Sequence, residues 1–202
     1  MSYIVVEGPI GVGKTTLAGL LAERLNMSLA LEEIDRDNVK RFLSNFYADR
    51  ARYAFQTEVF FLLNRYRQQA SVIKPAAARG NLASDYLFAK TKLFAGMNLG
   101  GDELELFEQI YDALSEQVPK PDLVVYLRAS VDTLMARIYQ RDRWFERSME
   151  RPYIERLSQV YESFFDTYHG SPLLKIETDN LDLVRDVEAQ QATISLIDAA
   201  RS

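Results

Sequence analysis

The sequence of 202 residues contains no cysteine and a single histidine, His169. Without cysteine the chain has neither disulfides nor a thiolate-ligated metal site, and His169 precedes a Gly-Ser-Pro turn typical of a loop. Positive charge is also in deficit, because the formal net charge is −5 at pH 7. Nucleic-acid backbones select basic surfaces, so this balance argues against a nucleic-acid polymer as a partner.

Long apolar runs are missing as well. No stretch reaches the roughly 20 residues needed to cross a bilayer, and the first residues show no signal-peptide pattern. Hydrophobic residues make up 48% and charged residues 26% of the sequence, which is ordinary for a globular protein. We therefore expect a cytoplasmic protein without a membrane partner, folded as a single domain over residues 1–202.

One motif dominates what is present. Residues 8–15 read Gly-Pro-Ile-Gly-Val-Gly-Lys-Thr, which is the G-x-x-x-x-G-K-[ST] spacing of a phosphate-binding P-loop. A β-branched run precedes the motif and leucines at helical spacing follow it, as a strand–loop–helix unit requires. Backbone N–H groups and the helix N-terminus bind phosphate there, Lys14 reaches the outer phosphates, and Thr15 offers its hydroxyl to Mg²⁺. The predicted ATP-binding residues of this segment are Gly8, Pro9, Ile10, Gly11, Val12, Gly13, Lys14, Thr15 and Thr16.

The remaining pattern alternates between short apolar runs and helical periodicity. Strands are predicted at 3–7, 27–31, 81–86, 122–127 and 172–177. Helices are predicted at about 13–26, 53–71, 87–97, 102–118 and 181–200, with a short helix or loop at 37–47 and a helix that begins after Ser130. This order predicts an α/β fold, a three-layer α/β/α sandwich with a mainly parallel five-stranded sheet.

Acidic residues end two of the predicted strands. Glu32 and Glu33 follow one strand, and since neighbouring strand residues point to opposite faces, one of the two should face the phosphate site. Asp85 ends another strand and is typical of the second metal-binding element of P-loop enzymes, so Thr15 and Asp85 are the predicted Mg²⁺ ligands. Glu33 or Asp85 is suited to accept the proton of an attacking hydroxyl. A solvated acidic loop is the alternative for the two glutamates.

Arginines concentrate near residues 137–147, where Arg137 and Arg141 share a helical face. Guanidinium groups bind phosphate oxygens in bidentate fashion, so this segment is predicted to form a lid over about 140–150. A salt-bridged surface helix is the alternative, because Glu146 and other acids lie close by. On the 53–71 helix, Gln56 either reads a base edge through its amide or is an ordinary exposed residue.

Together these motifs resemble the deoxynucleoside kinase family, most closely its bacterial deoxyadenosine and deoxyguanosine kinases. The matching segments are Glu-Gly-Pro-Ile at the start of the P-loop, Leu31-Glu32-Glu33, Tyr53-Ala54-Phe55-Gln56-Thr57, Ser84-Asp85-Tyr86 and Arg-x-x-x-Arg-x-Arg-x-x-Glu from Arg137 to Glu146. The resemblance implies a homodimer that uses ATP and Mg²⁺ to phosphorylate the 5′-hydroxyl of a deoxynucleoside.

The resemblance also implies roles for individual residues. Glu33 corresponds to the base that activates the 5′-hydroxyl, with Asp85 as its competitor, and Lys14, Arg141 and Arg143 correspond to the catalytic cations. Arg137 and Arg141 join the predicted ATP-binding set. The residues assigned to the deoxynucleoside are Glu33, Tyr47, Phe55, Gln56, Tyr86 and Glu146, of which Gln56 reads the base and Tyr47 and Glu146 hold the 3′-hydroxyl. Tyr86 stands where the animal enzymes have an arginine.

Two other functions compete with this prediction. A nucleoside monophosphate kinase, such as thymidylate kinase, shares the P-loop but needs further cations for the phosphate of its acceptor. A nucleotide-binding regulatory switch is the alternative from another class, although the Asn-Lys-x-Asp guanine-reading motif of such GTPases is missing from the sequence. The preferred base and the preferred phosphate donor stay open.

Overall fold

Five parallel strands form one sheet in the computed structural model, which describes residues 1–33, 37–143, 146 and 149–201 without the side chains of 37, 38, 40, 41 and 47. The strands are β1 (Tyr3–Glu7), β2 (Ser28–Ala30), β3 (Leu82–Ser84), β4 (Leu123–Arg128) and β5 (Leu173–Glu177). Their order is β2-β3-β1-β4-β5, and every neighbouring pair runs parallel. The predicted five-stranded parallel α/β fold is therefore confirmed.

Helices connect the strands. They are α1 (Lys14–Arg24), α2 (Asp37–Ala48), α3 (Arg50–Gln68), α4 (Lys74–Arg79), α5 (Lys90–Asn98), α6 (Gly101–Ser115), α7 (Val131–Arg141), α8 (Arg151–Asp166) and α9 (Val187–Ala200), with a π-helical turn at Gln69–Ile73 after α3. Among the described residues, no helix combines the length and the apolar composition that crossing a bilayer demands.

The chain divides into two compact units. The first contains residues 1–31, 75–87 and 120–202, and the second contains residues 32–74 and 88–119. The first unit holds the whole sheet, whose strands β1 and β4 are buried along almost their entire length. Such continuous burial explains why these two strands are near-continuous apolar runs in the sequence. Helix α1 packs on β1 and β3, and aromatic rings of α8 stack on Tyr126 of β4.

The second unit has a core of its own, formed by α3, α5 and α6. Phe88 stacks on Tyr111 of α6 with 5.3 Å between the ring centroids. The apolar face of α6 lies in this cluster, and within it Phe107 and Tyr111 are buried. The apolar residues Phe55, Val59, Leu62 and Tyr66 of α3 also lie there, whereas Leu63, which continues their helical spacing, faces solvent. Leu63 is rotated by about 100° around the helix axis from the fully buried Leu62, and this rotation turns its side chain to the solvent side of α3.

Other differences from the predicted elements have local causes. Sequence reasoning missed helix α8, although it carries the buried residues Ile154, Leu157, Tyr161 and Phe165 at helical spacing. Helix α9 begins at Val187 rather than at 181, because Asp186 caps it by accepting hydrogen bonds from the N–H groups of Glu188 and Ala189. The predicted cap at Ser130 is confirmed, since its side chain accepts from the N–H of Thr133.

The P-loop packs tightly against β4 and α7, and two of its glycines make this possible. Gly8 has a φ of +151°, and a β-carbon on it would lie 2.4 Å from the carbonyl oxygen of Leu127. Gly11 has a φ of +88°, and its β-carbon would lie 2.9 Å from the carbonyl oxygen of Leu134. Any larger residue at either position would push the loop away from the backbone that supports it.

We expect Gly8→Ala to lower the free energy of unfolding by about 1–3 kcal/mol, because the added methyl group overlaps the Leu127 carbonyl. Urea denaturation measures this change. Gly19→Ala is the matched control, since Gly19 lies in α1 and a methyl group added to it would meet no atom within 4 Å. That variant should gain about 0.4–1 kcal/mol. Equal midpoints for the two variants would contradict the packing argument.

Candidate active site

The P-loop and the start of α1 present an anion-binding surface. The ammonium group of Lys14 lies over the loop and donates hydrogen bonds to the carbonyl oxygens of Gly8 at 2.6 Å and Pro9 at 3.0 Å. Gly13 is the N-cap of α1 and carries no side chain that could cap the helix. The first N–H groups of α1 are therefore available to an anion, together with the positive end of the helix dipole.

Thr15 and Asp85 meet beside this loop. The Thr15 hydroxyl donates a 2.6 Å hydrogen bond to the carboxylate of Asp85, which is buried just after β3. The two residues converge because β1 and β3 are adjacent parallel strands, so that their C-terminal ends reach the same edge of the sheet. A hydroxyl and one carboxylate are oxygen ligands of the kind that Mg²⁺ binds together with phosphates and water. Within the described residues no group of three histidines or acidic residues could hold a metal ion.

Arg137 of α7 holds a loop in place. Its guanidinium donates to the carbonyl oxygens of Thr178 at 2.6 Å and Leu181 at 3.1 Å, and to the Thr178 hydroxyl at 3.0 Å. It also lies 3.4 Å from the carbonyl oxygen of Val12 in the P-loop. Arg137 thus links the P-loop with the segment that follows β5.

Arg141 lies one helical turn further along and makes a bidentate pair with Glu146, at 2.9 Å and 2.6 Å. Glu146 is almost fully buried, whereas the Arg141 side chain is about one-third exposed. Arg143 is partly exposed. Of the predicted lid, residues 140–143, 146, 149 and 150 are described, and residues 144, 145, 147 and 148 lie outside the described residues. Tyr86, next to Asp85, is fully buried.

A cavity of about 670 Å³ opens beside the P-loop. Its walls come from the P-loop, from the end of α7 and from the segment 178–185, whose Asp179 accepts hydrogen bonds from Ser130 and Thr133. Sequence reasoning missed 178–185, which the periodicity assigns partly to the last helix. Its place in the chain could have indicated a role at the site. The segment follows β5, and the carboxyl ends of parallel strands meet at the sheet edge at which the P-loop lies.

The second unit contains the two adjacent glutamates, and their surroundings differ sharply. The Glu32 carboxylate is buried between the guanidinium of Arg65 at 2.8 Å and the ammonium of Lys90 at 2.9 Å. Burial alone raises the pKa of Glu32, but the Lys90 and Arg65 charges outweigh it and lower the pKa to about 2. Glu33 is more exposed, at 27% of its side chain, and lies 3.7 Å from the largely exposed Arg67.

The other predicted acceptor residues of the second unit lie on two helices. Phe55 is partly buried against the core cluster, and Gln56, its neighbour on α3, is exposed. Tyr47 lies on α2, but its side chain is outside the described residues. On the same helix α3 sequence reasoning missed Glu58, which accepts a 2.7 Å hydrogen bond from the Asn98 amide. Burial raises the pKa of Glu58 to about 7.

The structure therefore brings the predicted residues together in two groups. Within the first unit, the P-loop, Thr15 and Asp85 form one cluster, and Arg137 and Arg141 line the adjoining cavity. Within the second unit, Glu33, Phe55 and Gln56 are placed by α3 and by the residues that follow β2.

Comparison with known proteins gives consistent matches. The family model described as deoxynucleoside kinase matches residues 4–200. Deoxyguanosine kinase of Bacillus subtilis is 38% identical over 161 residues, which cover 79% of this chain and 76% of that protein. Deoxyadenosine kinase of Lactobacillus acidophilus is 33% identical over 212 residues, which cover 98% of this chain and 95% of that protein.

A solved structure shows the same fold. Deoxyadenosine kinase from M. mycoides with bound dATP superposes with a TM-score of 0.79 at 23% identity, and the match covers 98% of both chains.

The Glu32 ion pairs should give the protein a distinctive acid sensitivity. Because the folded pKa of about 2 lies below the ordinary value of 4.5, ionised Glu32 stabilises the fold fully above pH 4.5. This stabilisation is lost as the pH falls from 4.5 towards 2. Between these limits we expect the free energy of unfolding to fall by about 3 kcal/mol more in the parent protein than in Glu32→Gln. Urea titrations across pH 5 to 2 measure the difference.

Asp166→Asn is the control for this titration, since the ion pair of Asp166 with Lys175 is open to solvent. Its pH profile should run close to that of the parent protein. At neutral pH, Glu32→Gln should itself be destabilised, because it leaves the buried Arg65 and Lys90 facing an amide instead of a carboxylate. Parallel pH profiles for Glu32→Gln and the parent protein would contradict the assignment.

Proposed function

Since this chain belongs to the deoxynucleoside kinase family, we propose that it transfers a phosphoryl group from ATP to the 5′-hydroxyl of a deoxynucleoside, with deoxyadenosine and deoxyguanosine as the acceptors. The proposal draws its acceptors from the names of the similar kinases of Bacillus subtilis and Lactobacillus acidophilus. The observation that carries it in this chain is the 2.6 Å contact between Thr15 and Asp85 beside the P-loop. The cytoplasm is the proposed location, where free deoxynucleosides and ATP occur together.

Binding of the ATP phosphates is assigned to the P-loop. The Lys14 ammonium group can bind a phosphate once it releases the carbonyl oxygens of its own loop. The N–H groups at the start of α1 can donate to the same anion, which the positive end of the helix dipole also attracts. Arg141 and Arg143 are the proposed cations that bind the transferred phosphoryl group. Guanidinium groups stay protonated and can neutralise the negative charge on its oxygens during transfer.

Mg²⁺ fits the oxygen ligands of Thr15 and Asp85, which would hold it next to the phosphates. When bound, the ion neutralises charge on the β- and γ-phosphate oxygens. The hydrogen bond between Thr15 and Asp85 keeps both oxygens in position for it.

The cavity beside the P-loop is the proposed site for the base and sugar of ATP. Its volume of about 670 Å³ lies in the range of small-molecule sites, and its walls continue directly from the phosphate-binding loop. Arg137 contributes to this site by fixing the 178–181 backbone that forms one wall. Its proposed role is thus in ATP binding rather than in the transfer itself.

Glu33 is the proposed general base. Its neighbour Glu32 is unsuited to this role, because both of its oxygens are held by buried cations that stabilise the carboxylate against protonation. Glu33 is accessible to solvent at 27% of its side chain, and its ion pair with Arg67 is long and largely exposed, so an acceptor hydroxyl can reach its carboxylate from solvent. Asp85 competes for the role, but one of its oxygens already accepts a hydrogen bond from the Thr15 hydroxyl.

The remaining acceptor contacts are proposed from the resemblance to the family. Gln56 is exposed on α3 and suited to read the base through its amide, with Phe55 providing an apolar surface beside it. Tyr47, Tyr86 and Glu146 are assigned to the sugar side of the acceptor. Glu146 is held in a single orientation by Arg141, as a residue that must accept a hydrogen bond from a sugar hydroxyl requires.

A homodimer is the proposed assembly. The apolar face of α6 is used by the core of the second unit, so a partner copy would need other residues. Leu63 of α3 and Leu106 of α6 are about half exposed, and these two helices are in contact. Light scattering should give twice the chain mass, and Leu106→Lys should shift the protein towards the monomer, since a buried apolar contact would be replaced by a charge. A monomer mass for the parent protein would contradict the dimer.

A side-by-side assay tests the reaction. Purified protein with ATP and Mg²⁺ is supplied in turn with deoxyadenosine, deoxyguanosine, deoxycytidine, thymidine and thymidylate. We expect 5′-monophosphates from deoxyadenosine, deoxyguanosine or both. Turnover of thymidylate alone would favour a nucleoside monophosphate kinase, and tight nucleotide binding without turnover of any acceptor would favour a regulatory switch.

Glu33→Gln should lower kcat by about 10²–10⁴-fold, because the amide cannot accept the proton of the 5′-hydroxyl. ATP binding, measured by calorimetry, should stay essentially unchanged. Glu23→Gln, an exposed position on α1, is the matched control and should behave as the parent protein does. Near-normal turnover of Glu33→Gln would transfer the role to Asp85.

A further inference from the structure

Glu7 is the last residue of β1 and is completely buried, although glutamate rarely lies inside a protein unless its charge is compensated. One carboxylate oxygen accepts hydrogen bonds from the Gly8 N–H at 2.8 Å and from the Tyr161 hydroxyl at 3.0 Å. The other oxygen accepts from the Leu87 N–H at 2.8 Å. Three donors from three separate segments of the first unit therefore converge on one carboxylate.

Two of these donors belong to the segments that carry the candidate phosphate chemistry. Gly8 is the first residue of the P-loop, and Leu87 comes two residues after Asp85 in the connection from β3 to α5. In the β1–β3 ladder the last aligned pair is Val5 with Ser84, so the two chains leave the sheet side by side. The Glu7 carboxylate bridges them just beyond the point at which the ladder ends.

We propose that Glu7 is a positioning residue for the phosphoryl transfer proposed above, because it locks the P-loop and the Asp85 segment into one geometry. The bridge keeps Asp85 within 2.6 Å of Thr15, which is the arrangement assigned to the divalent cation. Because Glu7 is completely buried, we expect it to contact neither nucleotide nor acceptor. It acts through the Gly8 and Leu87 amides.

The role requires a carboxylate rather than any polar side chain. A carboxylate accepts hydrogen bonds on both oxygens, whereas a glutamine amide accepts on one and presents N–H donors on the other side. In Glu7→Gln, the amide nitrogen would face either the Leu87 N–H or the Gly8 N–H, and one of the two backbone links would be lost. Tyr161→Phe removes one donor only and leaves both links intact.

Steady-state kinetics of Glu7→Gln test the proposal at a temperature where circular dichroism shows the variant fully folded. We expect kcat to fall about 10- to 100-fold through misplacement of Asp85, with a much smaller change in the KM for ATP. Tyr161→Phe should retain most of the parent kcat. The matched control is Glu162→Gln, since Glu162 is the next residue along α8 and accepts hydrogen bonds from Tyr126 and Arg128 of β4 instead.

Two kinetic results would overturn the proposal. One is a kcat for Glu7→Gln equal to that of Glu162→Gln. The other is a loss of activity that follows only the unfolded fraction as temperature is raised, since Glu7 would then support the fold and not the site.

Amide hydrogen exchange in the parent protein provides a second measurement that requires neither a variant nor an acceptor. The Leu87 amide should exchange at least about 100-fold more slowly than the amide of Gly170, an exposed turn residue of the same unit, although both lie outside helices and strands. Equal exchange rates would overturn the bridge even if Glu7→Gln failed to fold. A parent protein that phosphorylates no deoxynucleoside would refute the proposed function, while the exchange result would still decide whether the bridge exists.

Discussion

The close approach of the P-loop backbone to the end of β4 and to α7 is the constraint on which the first unit depends. Only 2.4 Å separates the Leu127 carbonyl oxygen from the place of a β-carbon on Gly8, so the loop can lie this close to β4 only with glycine at this position. From that position the start of α1, the Lys14 ammonium and the Thr15 hydroxyl all follow by covalent connection. A flexible glycine-rich segment thereby becomes a rigid anion-binding surface, as catalysis by preorganised charge requires.

Much of this surface could be predicted from the sequence, and for a physical reason. The P-loop motif specifies a local conformation, since its glycines, lysine and threonine act within eight consecutive residues. The strands were predictable because a sheet covered on both faces requires continuous apolar runs, as in β1 and β4. The convergence of Thr15 with Asp85 also followed, because adjacent parallel strands end at one edge of the sheet.

Long-range hydrogen bonds escaped prediction, since residues far apart in sequence leave no periodic signal. Glu7 reads as the polar end of an apolar strand, and its partners Leu87 and Tyr161 lie 80 and 154 residues away. The 178–185 segment was missed because its apolar residues continue the helical spacing of α9. Asp186, the cap at which α9 begins, cannot be told apart in the sequence from an aspartate inside a helix. A single sequence also does not show which charged side chains are buried. Glu32 and Glu33 are adjacent and chemically identical, yet one is held by two cations and the other is open to solvent.

The arginines near the end of α7 show how identical side chains at regular spacing take different roles. Arg137 directs its donors at backbone carbonyl oxygens and so fixes a loop, whereas Arg141 pairs with a buried carboxylate. The difference arises from the position of each residue along α7. The guanidinium of Arg137 lies near the P-loop and meets backbone carbonyl oxygens, whereas that of Arg141, one turn further along, reaches Glu146. A lysine at position 137 would keep the charge but could not span the Thr178 and Leu181 carbonyl oxygens with a planar fork. The shape of the arginine side chain, as much as its charge, therefore links the P-loop to the wall of the adjoining cavity.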